Sequence, residues 1–477
     1  MKKEKKILVT GNFNILHPGH LRLLKFAKGL GDKLIVGVNS DKLDKKGIHV
    51  SGEMRLENVK SNIWVDEAFM IDEPVDTLIK KLKPNFVVKG KEYEGKENPE
   101  LEALSNIGGR LIFSSGDVNF SSTDLIAKDL LNQQNFSLNY PKEYIQRHKL
   151  KNKNLRNILK SFKNKKICVI GDLIIDEYIN CDPLGMSQED PTLVVTPVES
   201  KKFIGGAGIV ASHAASLGAK TSIISITGKD STAEFAKKRL KEMNVKSFLF
   251  EDLSRPTTLK QRFRSKEQSL LRVSHLHQSG ISSILQNKIY KKVFSLLKDI
   301  DVLIFSDFNY GSLPQSLVDK IIASLKGKKI ITAADSQSSS QIGDISRFKD
   351  MDFIFPTEHE ARLSMRNKDD GLVVLAEKLS KLSRVKNIIL KLGSEGILLH
   401  LEQNQNSKIK TDRLGALNNY SKDVAGAGDS MLVTTVLSYA SGASIWESAY
   451  LGSLAAAIQV GRVGNIPLLQ EEFLNKL

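Results

Sequence analysis

The chain has 477 residues, 41% of them hydrophobic, and only two cysteines, Cys168 and Cys181, which form neither a CxxC pair nor a Cys/His cluster. Such a length asks for two domains, and two isolated thiols exclude a disulfide framework and a thiolate metal site. A net charge of +16, from 70 Lys and Arg against 54 Asp and Glu, suits anionic partners such as nucleotides and sugar phosphates.

From the start, KKEKK leads into only ILVTG before polar residues, short of a signal-peptide core, and no later apolar run is long enough to span a bilayer. A soluble, cytoplasmic protein is expected. KILVT (6–10), KLIVGV (33–38) and NFVVKG (85–90) read as short buried parallel strands, separated by amphipathic helical pieces such as HLRLLKFAKGL (20–30). Residues 147–166 then carry nine Lys and Arg and no acid, which reads as a solvated basic linker over 137–164 between domains 1–136 and 165–477. Beyond it the strand pattern resumes with ICVIGD (167–172), TSIISITG (221–228), DVLIFSD (301–307), KKIITAAD (328–335), FIFP (353–356) and NIILKLG (387–393). Both domains are therefore α/β, and in such sheets the chemistry sits just past the carboxyl ends of the strands.

GNFNILHPGH (11–20) follows the first strand. Gly11 allows a tight turn, Pro18 suits a helix start, and His17 and His20, three residues apart on a first turn, face a point that already attracts anions. Gly19 lets a phosphate approach the backbone. The plain alternative is a pair of polar residues at a helix start. HPGH resembles the signature of the HxGH nucleotidyltransferases, whose longer motif is G-x-F-D-x-x-H-x-G-H. VNSD (38–41), Arg55 in EMR ahead of a helix, and FSSTDLI (120–126) follow in the family's order. The resemblance implies a Rossmann-like fold in which His17 and His20 are catalytic. It also implies nucleotide and phosphate contacts from Gly11, Asn12, Phe13, Gly19, Lys45, Lys89, Ser121, Ser122 and Thr123. Lys45 and Lys46 read equally well as a surface pair. Asn14 stands where the family has Asp.

In the last part, KDVAGAGDSMLVTTVLSYASG (422–442) clears a path for phosphate oxygens with Gly426, Ala427 and Gly428 before an apolar helix, and Asp429 follows in its first turn. An acid there also stabilises a helix N-terminus. The stretch resembles the D-V-T-G-A-G-D motif of ribokinase-like (PfkB) sugar kinases, and of heptose-phosphate kinases among them. GDLIID (171–176), FIGGAG (203–208), SDFNYG (306–311), AADSQ (333–337), LKLGSEGILL (390–399) and AAAIQVGRVGN (455–465) extend the likeness over the domain. It implies an α/β/α sandwich with a small β lid, Asp429 as the base, the amides of 426–428 as an anion hole, Asp172, Asp176, Gly205 and Gly206 as sugar-binding residues, and Glu360 as an Mg2+ ligand. Ile209 and Thr357 each stand where the family has Asn.

Together the halves resemble bifunctional heptose-phosphate kinase and adenylyltransferase proteins with the domain order reversed. That likeness implies ATP-dependent phosphorylation of a sugar, a heptose phosphate by resemblance, and nucleotidyl transfer from an NTP to a sugar-1-phosphate. ATP and Mg2+ are the implied cofactors, with CTP as the alternative donor in the first domain and a homodimer formed through the lid. The competing expectations are a different sugar or polyol phosphate, a degenerate member with one inactive domain, and a nucleic-acid-binding protein, for which base-stacking aromatics are too few.

Overall fold

The structure is a computed structural model that describes residues 4–13, 16, 18–43, 51–90, 98–114, 138–265, 268–338, 343–402, 409–418, 420–462 and 464–477, with backbone alone at 18 and 19. It divides into two compact units, Met1–Phe136 with Arg366–Lys378, and Ser137–Met365 with Leu379–Leu477.

The first unit is built on strands β1 (Lys6–Gly11), β2 (Lys33–Asn39), β3 (Glu67–Ile71), β4 (Phe86–Gly90) and β5 (Arg110–Ser114), in the order β3-β2-β1-β4-β5. All pairs are parallel. The apolar runs are continuous because both faces are covered. Ile7, Val9, Val36 and Val88 enter one cluster, while Leu8, Ile35 and Val87 enter another, as the two-residue alternation of a strand requires. Helices α1 (Pro18–Lys28), α2 (Gly52–Lys60), α3 (Val75–Leu82) and α4 (Glu100–Ser105) connect the strands. Chain order reverses between β1 and β4, so the crevice beyond residue 11 is where a ligand can enter.

In the second unit β6 (Lys166–Gly171), β9 (Lys220–Thr227), β10 (Lys246–Glu251), β13 (Val302–Asp307), β14 (Ile331–Ser336), β15 (Phe353–Ile354), β16 (Asn387–Lys391), β17 (Ile397–Leu401) and β18 (Thr411–Leu414) make one sheet, ordered β10-β9-β6-β13-β14-β15-β16-β17-β18. Pairing is parallel up to β16 and antiparallel after it. A separate sheet, β12-β11-β7-β8, joins β7 (Leu173–Met186), β8 (Leu193–Gly206), β11 (Leu259–Ser265) and β12 (Gln268–His275). This is the lid, and it leaves Leu184, Met186 and Val198 exposed.

The basic stretch is folded, which corrects the expectation of a solvated linker. It forms α5 (Lys142–Arg147) and α6 (Asn152–Ser161) within the second unit. Leu155, Ile158, Leu159 and Phe162, spaced three and four apart, drop into that unit's main core, and the lysines occupy the outer face. His148 stacks on Trp446 at 4.1 Å and shares Asp412 with Arg147.

Candidate active sites

In the first unit the ends of β1 and β2 are tied together by side chains. Asn12, just past β1, accepts a hydrogen bond on its side-chain oxygen from the Asn39 amide at 2.8 Å. Arg55, fully buried, donates from Nη1 to the backbone carbonyls of Asn12 (2.6 Å) and Asn39 (2.9 Å), and its other nitrogen pairs with Asp41. It lies inside α2, not ahead of it. That arginine fixes the spacing between two strand ends, and beside it the Asp41 carboxyl is held below the usual carboxylate range.

Phe13 takes a positive φ of 48° two residues past the strand, yet its ring is buried in the core cluster, so a ligand contact there would come from its backbone. The ring also backs His20, at 5.2 Å between centroids, in the first turn of α1. Gly19 belongs to the same turn. Lys89 reaches the end of β4 and pairs with buried Glu100 at 2.8 Å. Asn14, His17, Lys45, Lys46, Ser121, Ser122 and Thr123 lie outside the described residues.

The second unit assembles its polar groups from the first part of β7 and the last residues of β14 and β16. Gly426 adopts a left-handed φ of 76°, and a Cβ there would lie 1.9 Å from the Asn465 side-chain oxygen, so glycine is required. Helix α9, Ala427–Ala440 in this numbering after α7 (Ala207–Ser216) and α8 (Glu358–Met365), starts from it. Its first ladder bond is Ser430 N–H to the Gly426 carbonyl, which leaves the amides of Gly428 and Asp429 ahead of the ladder. Gln459, at the end of α10 (Ile445–Gln459), donates to the Ala425 carbonyl at 3.2 Å and braces the turn.

Asp429 is buried, 7% exposed, and its carboxyl is pushed up to about 7. Burial is the main cause, nearby Asp335 and Asp176 add to it, and Lys391 and an Asn465 hydrogen bond oppose it. Lys391, ending β16, holds both oxygens of Asp335 at 3.0 and 3.1 Å. Asp335 ends up at about 6, because burial outweighs that lysine.

Asp176 faces the same region from β7 and accepts from Arg262 at 3.2 Å. Burial raises its carboxyl while Arg262 and Lys260 draw it down. The di-glycine has a direct reason here: a Cβ on Gly205 would sit 2.4 Å from Asp176 Oδ2, and Gly206 has a φ of 56°. On β11, Lys260, Arg262 and Arg264 alternate onto one face. Lys260 lies over the Phe308 and Tyr310 rings, and both arginines lie over Tyr178.

Two expected roles are corrected. Asp172 spends its carboxylate on the backbone amides of Phe308 (2.8 Å), Tyr310 (3.3 Å) and Ser312 (3.2 Å), and at 2% exposure it anchors that loop and cannot reach a sugar. Glu360 accepts from the amides of Thr357 (2.7 Å) and Ser338 (3.1 Å), and Thr357 Oγ1 accepts from the Glu360 amide. TEHE is thus a capping box for α8. Among the described residues no group of three or more His, Cys, Asp or Glu is arranged to hold a metal ion. Ile209, where the resemblance has Asn, is fully buried in the core. Lys391, Asp335 and the basic face of β11 had no assigned role; the one signal was a lysine closing an otherwise apolar strand, NIILK.

Comparison with known proteins follows the same division. Residues 8–127 match the cytidylyltransferase-like family and residues 164–472 the pfkB family carbohydrate kinases. The chain is similar to the bifunctional protein HldE of Helicobacter hepaticus, at 30% identity over 318 residues, 65% of this chain and 64% of that protein. It is similar to the HldE of Koribacter versatilis at 30% over 332 residues, 68% and 66%, and to that of a Nitratiruptor species at 28% over 313 residues, 64% of each. The chain therefore spans just under two thirds of these relatives' length. Among solved structures, ribokinase from Giardia lamblia superposes with a TM-score of 0.53 at 18% identity, covering 66% of this chain and all of that one. Arabidopsis thaliana ribokinase does so at 0.52 and 17%, covering 65% and 98%. Identities this low speak to the fold alone, whereas the family match runs from just before β6 almost to the C-terminus and takes in the glycine turn and Asp429. On that span, well over half of its length, the chain belongs to the pfkB family of carbohydrate kinases.

Proposed function

We propose that the second unit transfers the γ-phosphoryl group of ATP to a hydroxyl of a sugar phosphate, by resemblance a heptose phosphate. The first unit joins a sugar-1-phosphate to the nucleotidyl group of an NTP, ATP before CTP, to give a nucleotide-activated sugar. The observation that carries the kinase half is Asp429, a buried carboxyl poised at about 7 in the first turn of a helix that opens on a glycine turn. A base near neutrality is matched to taking a proton from a hydroxyl. The substrate oxygen bonds to the γ-phosphorus, the bond to the β,γ-bridging oxygen breaks, the proton goes to Asp429, and ADP leaves. The amides of Gly428 and Asp429, ahead of the α9 ladder, supply donors for the negative charge on the transferring group.

The acceptor's own phosphate is supported by the alternation of Lys260, Arg262 and Arg264 on β11 beside Asp176, a cationic face that a neutral sugar would not need. For the first unit, the helix start at His20 beside the Arg55-braced ends of β1 and β2 supports in-line attack of a sugar phosphate oxygen on the α-phosphorus, with pyrophosphate as the leaving group.

The test is the full chain with ATP or CTP and a panel of sugars, sugar phosphates and sugar-1-phosphates, with ADP and pyrophosphate followed separately. ADP formation that requires a sugar phosphate, and pyrophosphate release that requires a sugar-1-phosphate, are the expected results. ADP formation on neutral sugars alone overturns the sugar-phosphate reading of the acceptor, and none on the whole panel overturns the kinase reading.

Gly205→Ala tests the acceptor site. Its methyl group would displace the Asp176 carboxylate, so KM for the sugar phosphate is expected to rise roughly tenfold or more, about 1.4 kcal/mol of binding. KM for ATP should stay near the wild-type value in the same steady-state assay.

A further inference from the structure

The phosphoryl-transfer site gathers an excess of buried acid. Asp429, Asp335, Asp176 and Glu360 come from α9, β14, β7 and α8, and each lies within electrostatic reach of another member of the set. Arg262 is the cation paired with Asp176, and Lys391 is the cation paired with Asp335. Its ammonium is held on both oxygens of Asp335, and the pair is nearly inaccessible, with side chains 12% and 3% exposed. It also lies against the glycine turn, since a Cβ on Gly428 would come within 3.4 Å of Nζ. A buried ion pair is a costly arrangement when its only task is to hold a fold, because well-packed apolar residues do that as well. At this position it does something apolar residues cannot do, which is to offset negative charge one residue away from the base.

We infer that Lys391 is a positioning residue for the phosphoryl transfer proposed above. Anchored on Asp335 and set beside Gly428, it is the internal cation that allows Asp429 to stand as an ionised base among its acidic neighbours. The inference rests on the kinase reading for its purpose, but the charge arrangement is measurable without turnover. The groups facing Asp429 are Asp335 from β14, Lys391 from β16, Asp176 from β7 and Asn465 from the segment after α10. Lys391 is the positive member of that set, and the lysine is itself held in its charged form by Asp335 and Glu360 against the effect of burial. Removing it leaves the carboxylates to repel one another.

The experiment is carboxyl 13C NMR titration of the full-length protein, with the Asp429 signal assigned by its loss in Asp429→Asn. In Lys391→Met the Asp429 midpoint is expected to rise by at least about one pH unit, and in Lys391→Arg to stay close to wild type. Asp335→Asn, which keeps the ammonium and removes an acid, should move the midpoint down. The double variant Lys391→Met/Asp335→Asn, which removes both buried charges and so spares the fold an unpaired one, should bring it back toward the wild-type value. In kinase assays the acid limb of kcat/KM should follow the same order, with activity of Lys391→Met recovering at alkaline pH. A merely structural lysine would lower kcat equally at all pH values and leave the midpoint in place, and that result overturns the inference. Midpoints that move as expected in a protein with no sugar-phosphate-dependent ADP formation overturn the kinase reading and leave the charge arrangement standing.

Discussion

Asp429→Asn is expected to lose sugar-phosphate-dependent ADP formation by at least roughly a hundredfold, the scale of a positioned general base, and at the same time to make the second unit more stable. The two effects have one origin. In the unfolded chain this carboxyl ionises with an ordinary value of 3.8, and in the folded protein at about 7. A folded-state value raised above the unfolded one means that the neutral acid is tolerated and the carboxylate is not. The penalty is therefore absent below about pH 4, accumulates as pH rises toward 7, and is complete above that, where it amounts to about 4 kcal/mol. Asparagine carries no charge at any pH. Ligand-free thermal unfolding should accordingly show the variant's second unit melting several degrees higher at pH 8 and converging with wild type as pH falls toward 4. Equal melting of the two proteins at pH 8 would show that Asp429 is not held in the buried, acid-crowded setting described. Pyrophosphate release by the first unit should be unaffected, which separates loss of the base from loss of the fold.

Sequence carried some of this arrangement plainly and hid the rest, and the division follows range. The strands of both sheets were legible because their apolar runs are covered on two faces, so hydrophobicity alone marks Ile7–Val9 and Val302–Phe305. Gly426 and Asp429 were legible for a local reason too, since a left-handed turn and a first-turn acid are features of a few consecutive residues. Asp172 and Asp176 could not be told apart by such means: both follow one strand, and they differ in that the loop at 308–312 turns its amides onto the first. Glu360 was read from the resemblance as a metal ligand, and its capping pair with Thr357, three residues earlier, emerges from the structure. The stripe Leu155, Ile158, Leu159 and Phe162 was masked by the lysines around it, whose charge says only that the outer face meets water. Lys391 was hidden most completely, because what gives it meaning is Asp335, 56 residues away in the chain and two strands away in the sheet.

His20→Ala is expected to reverse the Asp429 pattern, with pyrophosphate release falling at least about a hundredfold while sugar-phosphate-dependent ADP formation continues at the wild-type rate. One well-placed donor to a developing anionic charge is worth roughly 3 kcal/mol in a site closed to water, which sets that factor. The position of the ring makes the case specific. His20 is in the first turn of α1, where helix amides and dipole already favour an anion, and Phe13 backs its ring from the core at 5.2 Å. Phe13 itself takes a left-handed backbone two residues past β1, so the imidazole is braced from the strand end that Arg55 ties to β2. Alanine would remove the donor and leave this brace intact, so the loss should fall on kcat with a smaller change in KM for the nucleotide. His20→Asn, which keeps a hydrogen-bond donor of shorter reach, should recover part of the rate. A first unit that releases pyrophosphate equally well with alanine at this position would mean that the HPGH turn binds no triphosphate, and the nucleotidyl-transfer half of the proposal would fall while the kinase half stood.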